Sequence, residues 1–171
     1  MRVNLVETNV PSANSSYDPY YSFYYSAEIM ASREESIPWL KLREDARIYF
    51  NDSTGVTFDL ICNEAGVISS IAFRQKLVPG ELYPEFDHLL PVPEKTLLGV
   101  VANPEIEAYD IELIRPLHVK SPIYGDAILV LLDELVPKNW YPISKSAFIG
   151  TDKQSNATAF LFFNMEFTPT E

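Results

Sequence analysis

Residues 46–75 read ARIYFNDSTGVTFDLICNEAGVISSIAFRQ, and the alternation within them decides the fold. The middle of the stretch sets Val56, Phe58, Leu60 and Cys62 against Thr57 and Asp59. A period of two marks a strand with one face in a core, because successive side chains point to opposite faces. Flanking runs extend from Ala46 to Asn51 and from Val67 to Gln75, the second with Val67, Ile71 and Phe73 on one face. Between the runs lie the turn clusters Asn51-Asp52-Ser53-Thr54-Gly55 and Asn63-Glu64-Ala65-Gly66. Short Gly-bearing clusters between alternating runs are hairpin signals, so the stretch predicts a three-stranded antiparallel meander.

Upstream, Tyr21, Phe23, Tyr25, Ala27 and Ile29 share one parity, while Tyr20 and Tyr24 take the other. Aromatic content with alternation predicts another strand, with large side chains on both of its faces. Residues 1–19 are polar and turn-prone, and are expected to form an irregular N-terminal arm with a short strand over Val3 to Val6. Residues 20–171 are then a single β-rich domain. Ser32 with Glu35 fits a capping box, which predicts a short helix between Ser32 and Asp45.

Downstream, Leu77 to Pro104 carries Pro79, Pro84, Pro91, Pro93 and Pro104. It reads as a long connection between sheets, with a helical turn at Glu85 to Leu90 and a second short helix opened by Pro93. Glu105 to Val119 reads as one strand, its phase slip absorbed by a bulge near Ala108. Asp126 to Asp133 is apolar on both faces, so periodicity leaves a central strand and a buried helix equally open. Lys145 to Gly150 and Ala157 to Thr168 read as a closing hairpin whose last strand aligns Ala159, Leu161, Phe163, Met165 and Phe167. The expected fold is mainly β, grading into α+β through one or two short helices. Its architecture is an antiparallel sandwich or open barrel of seven to eight strands.

The composition agrees with a domain that folds on its own core. The chain has 171 residues, 47% of them hydrophobic, with 10 Phe and 10 Tyr. A chain of this length buries roughly 70% of its unfolded surface and needs no covalent staple. The lone Cys62 excludes an intramolecular disulfide and a Cys-based zinc site, and its place on an apolar strand face reads as a buried structural thiol. The first residues contain no apolar run of signal-peptide type, and no stretch approaches the roughly 20 apolar residues of a membrane span. A cytoplasmic location is therefore expected.

The formal net charge of −11 argues against nucleic acid and anionic membrane as partners, since both demand a cationic face. The charge is concentrated. From Glu81 to Glu112, eight acids (Glu81, Glu85, Asp87, Glu94, Glu105, Glu107, Asp110 and Glu112) face the single base Lys95, which places −7 of the total in that segment.

Catalytic constellations are scarce. The only histidines are His88 and His118, and no Gly-x-Ser-x-Gly elbow or nucleotide-binding glycine pattern is present. Glu85, Asp87, His88 and His118 could converge on a metal, but they lack the spacing of a metal-binding helix or strand, and no cofactor is expected. Trp39 and Trp140, each near a proline, read as loop anchors. The oddity is aromatic: Tyr17, Tyr20, Tyr21, Tyr24 and Tyr25 fall within nine positions. Tyrosine offers stiff amphipathic contact area and is enriched at binding hot spots.

These features point to a non-enzymatic module that docks on or masks a basic protein, as an immunity protein or antitoxin does. Glu105, Glu107, Asp110, Glu112, Tyr20 and Tyr24 are its expected contact residues. Two other readings stand beside it. One is a structural or assembly subunit of a homo-oligomer, virion or secretion device. The other is a small-molecule-binding barrel or an enzyme with His88 or His118 and a carboxylate as its working pair.

Overall fold

The computed structural model describes residues 3–9, 12–17, 22–28, 46–51, 57–62, 68–74, 78–79, 95–101, 110–114, 118–121, 127–132, 136–164 and 166–167. Among these residues there are strands and no helix. The order is β1 (Val3–Asn9), β2 (Ser12–Tyr17), β3 (Ser22–Glu28), β4 (Ala46–Asn51), β5 (Thr57–Cys62), β6 (Ile68–Arg74), β7 (Val78–Pro79) and β8 (Lys95–Val101). It continues with β9 (Asp110–Ile114), β10 (His118–Ser121), β11 (Ile128–Leu131), β12 (Asn139–Ser144), β13 (Ala147–Thr151), β14 (Ala157–Phe162) and β15 (Glu166–Phe167).

Two sheets hold most of them. One has the order β15-β2-β3-β6-β5-β4-β9, the other β12-β13-β14-β11-β10-β7, and β1 pairs with β8 as a separate ribbon. Eight strands in two antiparallel quartets, β2-β3-β6-β5 and β12-β13-β14-β11, supply the core. The chain is thus a mainly β sandwich, and the meander predicted over 46–75 is β4, β5 and β6.

Aromatic rings close the gap between the quartets. Phe23 stacks on Phe73 at 4.5 Å between ring centroids and tilts against Phe162 of the opposite sheet at 4.6 Å. Phe58 meets Phe160 at 5.2 Å and Tyr25 meets Phe162 at 5.5 Å. Offset and tilted contacts at these spacings suit the ring quadrupoles. On β3 the odd positions Phe23 and Tyr25 enter this core while Tyr24 faces out, as alternation requires.

In the six-stranded sheet, β11, β13 and β14 are buried on both faces. Ile128, Val130, Phe160 and Phe162 join the inter-sheet core, while Leu129, Leu131, Phe148, Ala159 and Leu161 form a second cluster with Trp140 and Phe163 against it. That settles Ile128–Leu131 as a central strand, since a strand covered on both sides reads as a continuous apolar run.

Two bulges displace the simple alternation in the same way. On β6, Ile61 faces Ser70 and Cys62 faces Ile68, so Ser69 is the extra residue, and its hydroxyl donates to the Ile61 carbonyl at 3.1 Å. On β14, Gly150 faces Ala159 and Thr151 faces Ala157, so Thr158 is extra, and its hydroxyl donates to the Gly150 carbonyl at 3.4 Å. Each inserted hydroxyl residue bonds a carbonyl at the break in the ladder, where backbone pairing is lost. The β6 bulge is why Ile68 joins Ile71 and Phe73 in the core despite its opposite parity.

Several expectations are corrected. The segment read as an irregular arm supplies β1 and β2, with Val3 buried in the core and its amide donating to the Ser155 carbonyl at 2.7 Å. In place of the helix expected after Pro93, the chain forms β8 from Lys95; its β-branched Thr96, Val100 and Val101 suit a strand. The single strand expected over Glu105 to Val119 is two, β9 on the seven-stranded sheet and β10 on the other. The strand expected over Ala157 to Thr168 ends at Phe162. Asn164 then takes a left-handed conformation (φ 52°), and the chain changes sheet to pair β15 in parallel with β2. Asparagine tolerates that conformation better than most residues. The helices expected within 32–45 and 85–90 and the bulge near Ala108 lie outside the described residues.

Candidate functional site

The sequence-derived contact residues divide by position. Tyr24 stands 56% exposed at mid-sheet, on the outward side of β3. Backbone register runs from it through Ala72 and Asp59 to Tyr49 and Glu112, and on the other side to Ser16. Asp110, on the same edge strand β9 as Glu112, stands in register with Arg47 of β4. Adjacent strands lie about 4.8 Å apart, so this row crosses roughly 24 Å of sheet from Ser16 to Glu112. Its neighbours on β2 and β3 are Asn14, Ser22 and Ser26, which make a polar surface around one large ring. Glu105, Glu107 and Tyr20 lie outside the described residues, as do His88, Glu85, Asp87 and Trp39.

His118 begins β10, and Cys62 ends β5 beside the bulge. No group of three or more His, Cys, Asp or Glu residues that could hold a metal ion occurs among the described residues. No helix among them is long and apolar enough to cross a membrane. Trp140, in β12, packs against the second core cluster and lies over Gly150.

A second site emerges where β2 meets the β12–β13 turn. Ser12, Ala13, Asn14, Ser15, Lys145, Ser146 and Asn164 line a cleft of about 310 Å³. The sheet change at Asn164 forms one wall. The turn forms another, held by the Ser146 hydroxyl donating to the Ala13 carbonyl at 3.4 Å and by the Ser146 amide donating to Ser144 Oγ at 3.2 Å. Ser15 is only 5% exposed, and its hydroxyl meets no hydrogen-bonding partner.

Directly across β2–β3 from Ser15 stands Tyr25, whose hydroxyl is buried and also lacks a hydrogen bond of ordinary geometry. Burial pushes the Tyr25 phenol well above its usual range, and the nearby Ser144 hydroxyl offsets this only in part. Of these hydroxyl residues, Ser15 and Ser146 line the cleft, while Tyr25 and Ser144 are fully buried. Sequence inspection missed them because Ser15 and Ser146 are remote in the chain and look like ordinary polar loop residues. The one available signal was the Asn14-Ser15-Ser16 run beside the tyrosine patch. Comparison with models of known protein families and with curated proteins finds no match to this chain.

Proposed function

We propose that the chain is a non-enzymatic protein-binding module, and that the outer face of its seven-stranded sheet docks a basic protein segment. The observation that carries this reading is Tyr24, a large ring standing exposed with Asn14, Ser16, Ser22 and Ser26 as its neighbours on β2 and β3. A central aromatic anchor ringed by polar groups is the usual anatomy of a binding hot spot. The register row from Tyr24 leads through Asp59 to Glu112 on the acidic edge strand, about 19 Å away, so a cationic segment seated on the ring and lying across the strands would run toward the acidic edge. Charge complementarity of this kind speeds association and fixes orientation. The net charge of −11 adds long-range attraction for the same class of partner.

Titration calorimetry of the purified chain against a panel of basic proteins, at low salt and again at 0.3 M salt, tests the reading. The expected result is saturable binding to a subset of the panel. It should weaken steeply with salt and fall at least about tenfold in Tyr24→Ser, the loss of a single good anchor. Binding to none of the panel, or binding indifferent to Tyr24, overturns it. A concentration-dependent mass in light scattering that Tyr24→Ser abolishes would instead make the partner a second copy of the chain.

A further inference from the structure

We propose that the cleft between β2 and the β12–β13 turn binds a small oxyanion, a carboxylate or phosphate group, through the Lys145 ammonium and the hydroxyls of Ser15 and Ser146. Three observations carry this. First, the described residues lining the cleft are one lysine, two asparagines, three serines and an alanine. In a chain with 24 acids and 13 bases, a hollow lined by a cation and neutral hydrogen-bonding side chains is the reverse of the overall charge balance. Second, Ser15 is almost wholly buried, lines the cleft and has no partner for its hydroxyl. A buried hydroxyl left unmet costs stability, and groups of this kind mark places where something else completes the bonding.

Third, the remaining donors are easily re-aimed. The Ser146 hydroxyl is committed only to a long bond, 3.4 Å, and its hydrogen can rotate toward a bound oxygen. Asn14, Asn164 and Lys145 are exposed at the rim, so their side chains reach the cleft without being buried. The volume is at the small end of ligand sites, which suits a group of few atoms. Charge-assisted bonds from Lys145, with two hydroxyls beneath it, would give the anion its affinity.

Amide NMR of the full-length protein, titrated separately with inorganic phosphate, sodium acetate and glycerol, tests the assignment. The expected result is saturable shifts at Ser12–Ser15, Lys145–Ser146 and Asn164 with phosphate or acetate, and none with glycerol. Which anion binds more tightly separates a phosphate site from a carboxylate site. Lys145→Gln should weaken the binding about tenfold or more, the loss of one charge-assisted contact, while leaving the thermal midpoint unchanged. Ser15→Ala should weaken it as well without lowering stability. The proposal is overturned if neither anion gives saturable shifts at these amides. It is equally overturned if glycerol binds as well, or if the response survives in folded Lys145→Gln.

Discussion

Gly150 gives the most quantitative check on the packing. It lies in β13 opposite Ala159 of β14, one residue before the bulge. A Cβ added there would sit 2.8 Å from both Cβ and Cγ of Pro137 and 3.0 Å from Cζ3 of Trp140. Carbon atoms rest at about 3.5–4.0 Å, so the proline would have to retreat by roughly 0.7–1.2 Å. It has little freedom to do so, because the next amide, of Lys138, donates to the Thr151 carbonyl at 2.7 Å and ties this segment to β13. Overpacking of this kind costs about 1–3 kcal/mol. At this chain length that lowers the melting temperature by about 2–12 °C. The sign is informative, since alanine in an unobstructed strand would stabilise by about 0.5–1 kcal/mol relative to glycine. Urea denaturation of Gly150→Ala, alone and in a Pro137→Gly background, measures it. The penalty should shrink in the second background, where only the Trp140 contact remains. A Gly150→Ala protein as stable as the parent, or an equal penalty in both backgrounds, refutes the packing.

Phe162→Ala removes the ring that meets Phe23 and Tyr25 across the sheets, and should cost about 3–5 kcal/mol in the same urea assay. Tyr25→Phe should protect the fold in alkali. The native phenol holds its proton above the ordinary value of 10.0, so its contribution is complete below pH 10 and drains away as pH rises further. The variant should therefore unfold at higher pH than the parent in a base titration followed by circular dichroism. Asp152 bonds the Asn156 side chain at 2.9 Å and the amides of Gln154 and Asn156 at 2.8 Å each, and these bonds lower its pKa, the Asn156 side chain foremost. Its contribution is present above pH 3.8 and lost as pH falls through the lowered value. Asp152→Ala should melt earlier than the parent at pH 7 and converge with it in acid, as scanning calorimetry across pH would show.

The fold was legible where one face of a strand is wet. Residues 46–74 and 22–28 alternate because the seven-stranded sheet has a core side and an outer side, and the strands followed from that pattern. The pattern weakens in β11 and β14, where Leu129 and Leu161 face one cluster and Ile128 and Phe162 another, so burial on both sides erased the period. It misleads at Ser69 and Thr158, whose bulges reverse parity without a glycine to announce them. Asn164 hides a change of sheet within what reads as one strand. At the site level, the outward Tyr24 followed from parity alone. The cleft did not, because Ser15, Lys145 and Asn164 are brought together by long-range topology and carry no local pattern.

The division of the core between distant parts of the chain sets a timetable for its birth on the ribosome. The apolar face made by Phe23, Tyr25, Phe58, Leu60, Ile71 and Phe73 is complete once β6 has been made, but the rings that cover it, Phe160 and Phe162, come roughly 90 residues later. At ordinary rates of synthesis the nascent sheet waits about 4–18 s with its greasy side open to solvent. Val3, at the head of the first strand, waits longer still for the Ser155 carbonyl that its amide meets. Production of this protein should therefore depend on how well holdase chaperones shield the early half, and slowing translation between β6 and β11 should lower the soluble yield.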